Sequence, residues 1–370
     1  MSAAQMEPTT TDRHTFMTRG HIVSMLNTNA SGSVVAPPPG SERHELLDHP
    51  AMVSAARSCV FVKEVARSMG FPTRTISTAQ LLIHRTYIHR STPPVASSDL
   101  ATACLFVAAK MEETIKRLRD ILAHSYINSL SQNGGTPIDA QSVPATVTDK
   151  MRPNVLAGEQ YIMDAIGFDF RTTHAHLLYV KLAKLAGVPR ANIAVDGWTI
   201  LSDSYFTTLP VQYPSLVIAA GALCLAWNLC SGSPRTGNTQ VFQSFSGGDA
   251  KPPAARSKGG SDTTNRRGGT PNGSGSRRSG GVATSSQPRR RPMSLDLNAE
   301  WWLDFCVATE DIQGFVRQIA DFYLLFFNST VASAEYIERH KSGLPSKEMS
   351  QKIGQWRMQL SSATVTPVPP

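Results

Sequence analysis

The sequence predicts an all-α protein built from two five-helix units. Three observations carry this. Apolar residues recur at helical spacing through most of the chain between Glu42 and Phe327, and Gly and Pro fall between the runs as stops. A helix of small and apolar residues, Leu100–Lys110, recurs as Ser215–Leu229 at an offset of 118, so that Ala108 falls on Ala226, Leu105 on Leu223 and Ala103 on Gly221. The helical periodicities leave few residues for strands.

Residues 1–41 are polar, carry Pro37-Pro38-Pro39 and read as a disordered tail. The first unit spans 42–170. Its first helix lies within Glu42–Met69, with Met52, Ala56, Cys59, Val60, Val62 and Val65 inward; Gly70 stops it and Pro72 opens the next. Thr75–His89 follows, with Ile76, Ala79, Leu82, Ile83 and Tyr87 on one face. Pro93-Pro94 ends that segment, and Ser97-Ser98-Asp99 caps Leu100–Lys110. This third helix is apolar nearly all round, as a helix enclosed by other helices must be. A fourth covers Ile115–Tyr126. There Glu112/Lys116 and Glu113/Arg117 are spaced i,i+4, and Ile115, Leu118, Ile121 and Leu122 form an apolar stripe. Asn128–Thr148 reads as a loop, and Val155–Ile166 is the fifth helix, stopped by Gly167.

The second unit, 171–328, starts the count again with His174–Leu185, Ile193–Thr207 and Ser215–Leu229, and closes past Trp301-Trp302 with Ile312–Phe327. Within it, residues 231–297 form a disordered basic insert, rich in Gly, Ser and Arg and too poor in apolar residues to offset the entropy of ordering. Residues 329–370 are a C-terminal tail, loosely ordered beyond Leu344.

The net charge of +8 invites a nucleic-acid reading, but residues 231–295 alone carry eleven Lys/Arg against two Asp/Glu, which leaves the rest of the chain at −1. Nucleic-acid contact is therefore expected to be weak and confined to the insert. No run of 18 apolar residues occurs, so no membrane span is predicted. None of the five cysteines forms a CxxC pair, which reads as buried thiols without zinc or disulfides.

No catalytic set, metal site or cofactor site is predicted. The stretch from Gly232 to Thr239 approaches a phosphate loop, but Asn238 stands where the lysine must be. His84/His89 and His174/His176 lack a third ligand at sensible spacing and read as structural. Five Ser/Thr-Pro pairs, at Thr92, Thr136, Ser233, Thr270 and Thr366, are open to a proline-directed kinase but read first as the chance yield of solvated Pro-rich loops, and Pro288-Arg289-Arg290-Arg291-Pro292 reads as a nuclear import patch, a modification site at Ser294 or a solvated charge run.

Ala108-Ala109-Lys110-Met111-Glu112-Glu113 followed by Arg119-Asp120-Ile121 resembles the core of the cyclin box, most nearly that of the transcription cyclins: cyclins T, K and L, and the cyclin subunit of the fungal kinase for the RNA polymerase II C-terminal domain. Phe71-Pro72-Thr73 with His84-Arg85, Gly167-Phe168-Asp169-Phe170 with His174-Ala175-His176, Gln212-Tyr213-Pro214 and Trp301-Trp302 extend the resemblance to about 45–230 and 298–328. The chain departs from the family at Thr86, where His-Arg-Phe is common, in its basic insert and in lacking a His-rich tail.

The resemblance implies a double cyclin fold and a regulatory, non-enzymatic subunit. Such a subunit would bind and activate a cyclin-dependent kinase acting on the RNA polymerase II C-terminal domain, promoting transcription elongation in the nucleus. It places the kinase contact at Lys110 and Glu159, with Met111, Phe168 and Phe170 as apolar candidates. On the residues alone, Lys110 reads as a helix-end cation and Glu159 as a solvated acid. Whether a third regulatory subunit joins the heterodimer is left open. The alternative is a nucleic-acid-binding double cyclin fold of the transcription factor IIB type, which would call for a zinc ribbon and basic folded faces.

Overall fold

A computed structural model of the chain describes residues 16–29, 46, 49–90, 92–136, 138–187, 191–230 and 300–328. The insert 231–297, most of the N-terminal segment and the tail beyond Asn328 lie outside them, as do Ser233, Thr270, Ser294 and Thr366. Among the described residues every regular element is helical: α1 (Arg19–Asn29), α2 (Pro50–Ser68), α3 (Thr73–His89), α4 (Ser97–Met111), α5 (Leu118–Gln132), α6 (Ala145–Ile166), α7 (Ala175–Leu185), α8 (Ala191–Ser204), the short α9 (Leu209–Gln212), α10 (Ser215–Cys230) and α11 (Thr309–Asn328), with 3-10 turns at Ala140–Ser142 and Trp301–Phe305. No described helix is long and apolar enough to cross a membrane.

The two repeated helices are the axes of the fold. α4 packs against α2, α3, α5 and α6, and α10 against α7, α8 and α11. Their small residues let neighbours approach. A Cβ at Gly158 of α6 would stand 3.0 Å from the Ala103 Cβ, and a Cβ at Gly221 of α10 would run into the Phe315 ring of α11. Both helices are buried along almost their whole length, which is why neither shows a polar stripe.

Three sequence readings are corrected. Residues 19–29, within the segment read as a disordered tail, form α1. Ile22 and Leu26 are fully buried, Asn29 Nδ2 donates to the carbonyls of Ile88 (3.0 Å) and His89 (2.9 Å), and the Met17 N–H donates to Val211 O (3.0 Å). Two buried apolar positions in a polar segment are too weak a pattern to read. The fourth helix starts at Leu118, not Ile115, and runs on to Gln132 through residues read as loop. The cause is a Schellman stop on α4. Glu113 takes the left-handed conformation (φ 55°), Glu113 N–H donates to Lys110 O (3.3 Å) and Thr114 N–H to Ala109 O (2.9 Å). Residues 112–117 are therefore not helical, the i,i+4 pairs do not form, and Ile115 is 78% exposed instead of lying on the stripe. Finally, Cys306 is exposed in a left-handed turn, whereas Cys59, Cys104 and Cys224 are buried as read.

Buried polar groups join the two units. Lys63 of α2 pairs with Asp203 of α8 at 3.4 Å and lies 4.5 Å from the centre of the Phe206 ring; Tyr323 of α11 donates to the other Asp203 oxygen at 2.6 Å. Burial pulls the Lys63 ammonium down, against the raising field of Asp203. His84 of α3 sits with Nε2 3.1 Å from Tyr205 O, and burial lowers its pKa to about 4.

An acid-limb prediction follows from His84. The unfolded imidazole takes a proton near pH 6.5 and the folded one only near pH 4. Below about pH 6.5 the unfolded state therefore binds more protons, so stability is full above that pH and falls by about 1.4 kcal/mol per pH unit on acidification. His84→Gln should flatten the acid limb of a urea-unfolding series by that slope, whatever its effect on absolute stability.

Candidate functional site

The end of α4 and the middle of α6 bring Lys110 and Glu159 together. The Schellman stop ends α4 just past Lys110, and the close packing of Gly158 on Ala103 draws α6 in beside it. The Lys110 ammonium pairs with Glu159 Oε1 and lies 4.0 Å from the centre of the Phe106 ring, a cation–π contact. The Lys110 and Glu159 side chains are 45% and 19% exposed, so the pair is presented to solvent from one wall of the first unit. Met111, next in the chain, packs partly buried against the core.

The exit from α6 forms a second exposed group. Gly167 (φ 57°) and Phe168 (φ 58°) are both left-handed, and Phe168 N–H closes the helix on Met163 O (3.2 Å). Phe168 and Phe170 are 66% and 40% exposed and meet edge to face at 6.4 Å. Asp169 anchors the turn. It takes two 2.9 Å bonds from Arg171 and an ion pair from Arg85 of α3 at 3.7 Å, while Arg85 also donates to Asp169 O at 3.0 Å. The hydrogen bonds from Arg171 hold the Asp169 carboxyl down at about 2. The structure thus joins Lys110 to Glu159 and Phe168 to Phe170, and leaves Met111 partly buried against the core.

Glu112 is a functional-site neighbour that the sequence reading assigned wrongly. Its carboxylate, 9% exposed, accepts from Thr78 Oγ1 (2.7 Å), pairs with Arg74 (3.4 Å) and lies 3.0 Å from His174 Nε2. It ties α3, the end of α4 and the approach to α7 together directly behind Lys110. The only signal was the glutamate directly after Met111, with no feature pointing to partners as remote as His174. Among the described residues no cluster of His, Cys, Asp or Glu could hold a metal ion. Thr92 and Thr136 are both exposed.

Residues 41–171 match the family described as the N-terminal domain of cyclins. This segment is similar to the cyclin N-terminal domain. Lys110, Glu159, Met111, Phe168 and Phe170 all lie within it. The chain is 31% identical to CTD kinase subunit beta of Schizosaccharomyces pombe over 170 residues, 46% of this chain and 50% of that protein. It is 31% identical to Cyclin-T1-4 of Arabidopsis thaliana over 169 residues, 45% of this chain and 31% of that one. The chain thus spans half or less of the length of these relatives. A chain of the solved yeast RNA Pol II CTD kinase CTDK-1 complex aligns with 62% of this chain and 67% of its own at 18% identity and a TM-score of 0.46, a likeness too low to carry argument. The helical class rests on the elements themselves, and the likeness to cyclins on the domain match over 41–171.

Proposed function

We propose that this chain is the regulatory cyclin subunit of a nuclear cyclin-dependent kinase that phosphorylates the RNA polymerase II C-terminal domain in support of elongation. The observation that carries the reading is the Lys110–Glu159 pair, held at the end of the central helix of a cyclin domain whose relatives include a CTD kinase subunit and a T-type cyclin. The chain supplies no catalytic atom in this reading. An active kinase needs its Lys–Glu pair and metal-binding Asp in place together. A rigid helical wall that binds the inward position of the kinase glutamate helix better than the outward one shifts that equilibrium. Met111, Phe168 and Phe170 supply apolar contact.

The experiment is reconstitution with a C-terminal-domain kinase catalytic subunit from the same cells, reading phosphorylation of a heptad-repeat peptide. Strong stimulation is expected. A stable complex without stimulation would reduce the reading to a scaffold, and no complex with any such kinase would remove it.

Phe168 gives a prediction of opposite signs. A bulky residue in the left-handed region costs about 1–2 kcal/mol, and Phe168 is nonetheless largely exposed. Phe168→Gly should stabilise the free chain by roughly 0.5–1 kcal/mol, since glycine relieves the strain at some entropic cost. The same change should weaken kinase binding. Loss of stability with unchanged affinity would make Phe168 a packing residue.

A further inference from the structure

A cleft of about 40 Å³ lies where the two units meet. At about 10–15 Å³ for one water it holds about three, the room of one tetrahedral oxyanion. Arg85 of α3, Arg171 to Thr173 of the linker, Tyr205, and Ser215 at the start of α10 form its polar side. Phe16, Leu81, Val211 and Ile218 form its apolar side. Among the described residues no acidic side chain lines it, nor does any residue of the Lys110–Glu159 wall or the Phe168–Phe170 pair.

The cations of this cleft are short of negative charge. Arg85 and Arg171 share one carboxylate, Asp169, and hold it unequally. Arg171 donates to both of its oxygens at 2.9 Å. Arg85 Nη2 stands 3.7 Å from Oδ2, beyond hydrogen-bond reach, and its Nη1 turns instead to the carbonyls of Asp169 (3.0 Å) and Arg171 (3.4 Å). The Arg85 side chain is only 11% exposed. Burial pulls its guanidinium down against the raising field of Asp169, and the Arg171 charge adds to the burial. Two guanidinium groups against one carboxylate leave the wall with a net positive charge.

A buried hydroxyl in the same cleft lacks an acceptor. Tyr205 is 2% exposed. Burial pushes its phenol up to about 12, so it keeps its hydrogen, while the Ala175 N–H at the start of α7 bonds its oxygen. Among the described residues nothing accepts the Tyr205 hydrogen, and a buried donor left so is costly. Thr173 Oγ1 and Ser215 Oγ share a 2.6 Å hydrogen bond, which uses one of their two hydrogens and leaves the other free to donate. α7 and α10 both start here, so the positive ends of two helices add to the same field.

We propose that this cleft binds the phosphate monoester of a phosphorylated serine or threonine on a partner polypeptide. Two guanidinium groups, a phenol and an aliphatic hydroxyl converge on it from different elements. That is more than the two oxygens of a carboxylate need, and it suits the three free oxygens of a phosphate ester. Arg171 and Thr173 are exposed, so the cleft opens on their side. Phe16, Leu81 and Val211 receive the carbon side of the ester, against which a free phosphate ion has nothing to set. The inference does not depend on the kinase reading.

The test follows the backbone amide NMR signals of the full chain during titration with N-acetyl-phosphoserine N-methylamide, with the unphosphorylated serine derivative and with inorganic phosphate. The phosphoserine derivative should shift the amides of Thr172, Thr173, Ala175 and Ser215 to saturation, and the serine derivative should not. Inorganic phosphate should bind less tightly. Tyr205→Phe keeps the ring and should weaken phosphoserine binding about tenfold, as expected for one hydrogen bond to a charged group. Arg171→Gln should weaken it by about tenfold or more through loss of a charge-assisted bond. No shift at these amides, shifts confined to the basic residues 231–295, or unchanged affinity in either variant would overturn the proposal. Equal affinity for inorganic phosphate and the phosphoserine derivative would show a site for the free ion and would also overturn it.

Discussion

Asp203→Ala should destabilise the protein by about 3–5 kcal/mol, the typical cost of leaving a buried charge without its mate. The Lys63 and Asp203 side chains are 8% and 1% exposed, so water cannot replace the lost carboxylate. Tyr323 would also lose the acceptor of its 2.6 Å bond. The triple change Lys63→Met/Asp203→Leu/Tyr323→Phe should recover most of the loss, because a packed apolar set of similar volume is often as stable as the ion pair it replaces. Urea unfolding of the two variants decides this. A cost below about 1 kcal/mol for Asp203→Ala would mean that Lys63 sheds its proton or finds water. The larger cost would establish the network as a lock between the two units, since Lys63 belongs to the first and Asp203 and Tyr323 to the second.

Lys110→Ala and Glu159→Ala should each weaken kinase binding by on the order of 30-fold to several thousand-fold, the range for truncating one partner of a charge pair that is desolvated on docking. In the free chain the same changes should matter little. The pair is partly exposed, and exposed pairs contribute about 0–1 kcal/mol. Because Lys110 and Glu159 hold each other, a charge swap separates two roles. Lys110→Glu/Glu159→Lys keeps the internal pair but presents the wrong sign at each position. If the kinase reads the individual charges, the swap should bind as poorly as the single variants. If the pair only stiffens the wall, the swap should bind normally. Affinity and thermal stability measured on all three variants decide between these, and unchanged affinity throughout would remove the site assignment while leaving the domain match in place.

The sequence was most legible where the pattern was densest. α4 and α10 could be read, together with their equivalence, because a helix buried on every side must be apolar and small all round, and that composition shows in one dimension. The stops at Gly70 and Gly167 could be read because both residues sit in left-handed turns that glycine adopts without strain. The site was legible in part. Lys110 and Glu159 were named through a family resemblance, and nothing in their spacing of 49 residues says that they touch.

By itself, then, the sequence determined the helical class and the two repeated cores. These follow from local periodicity and from residue types that permit few conformations. Only the tertiary structure decided that Lys110 and Glu159 form one pair, that Glu112 turns inward to Thr78, Arg74 and His174, that Ile115 faces solvent, and that α1 packs on α3. Each of these depends on where a helix stops or on which distant group supplies a hydrogen bond. A left-handed glutamate at the end of α4 turned the chain away from the period that its neighbours continue, and partners on both sides of it in the chain, Arg74, Thr78 and His174, satisfied one buried carboxylate. Neither is a property of a local stretch, because each is fixed only once several helices have packed.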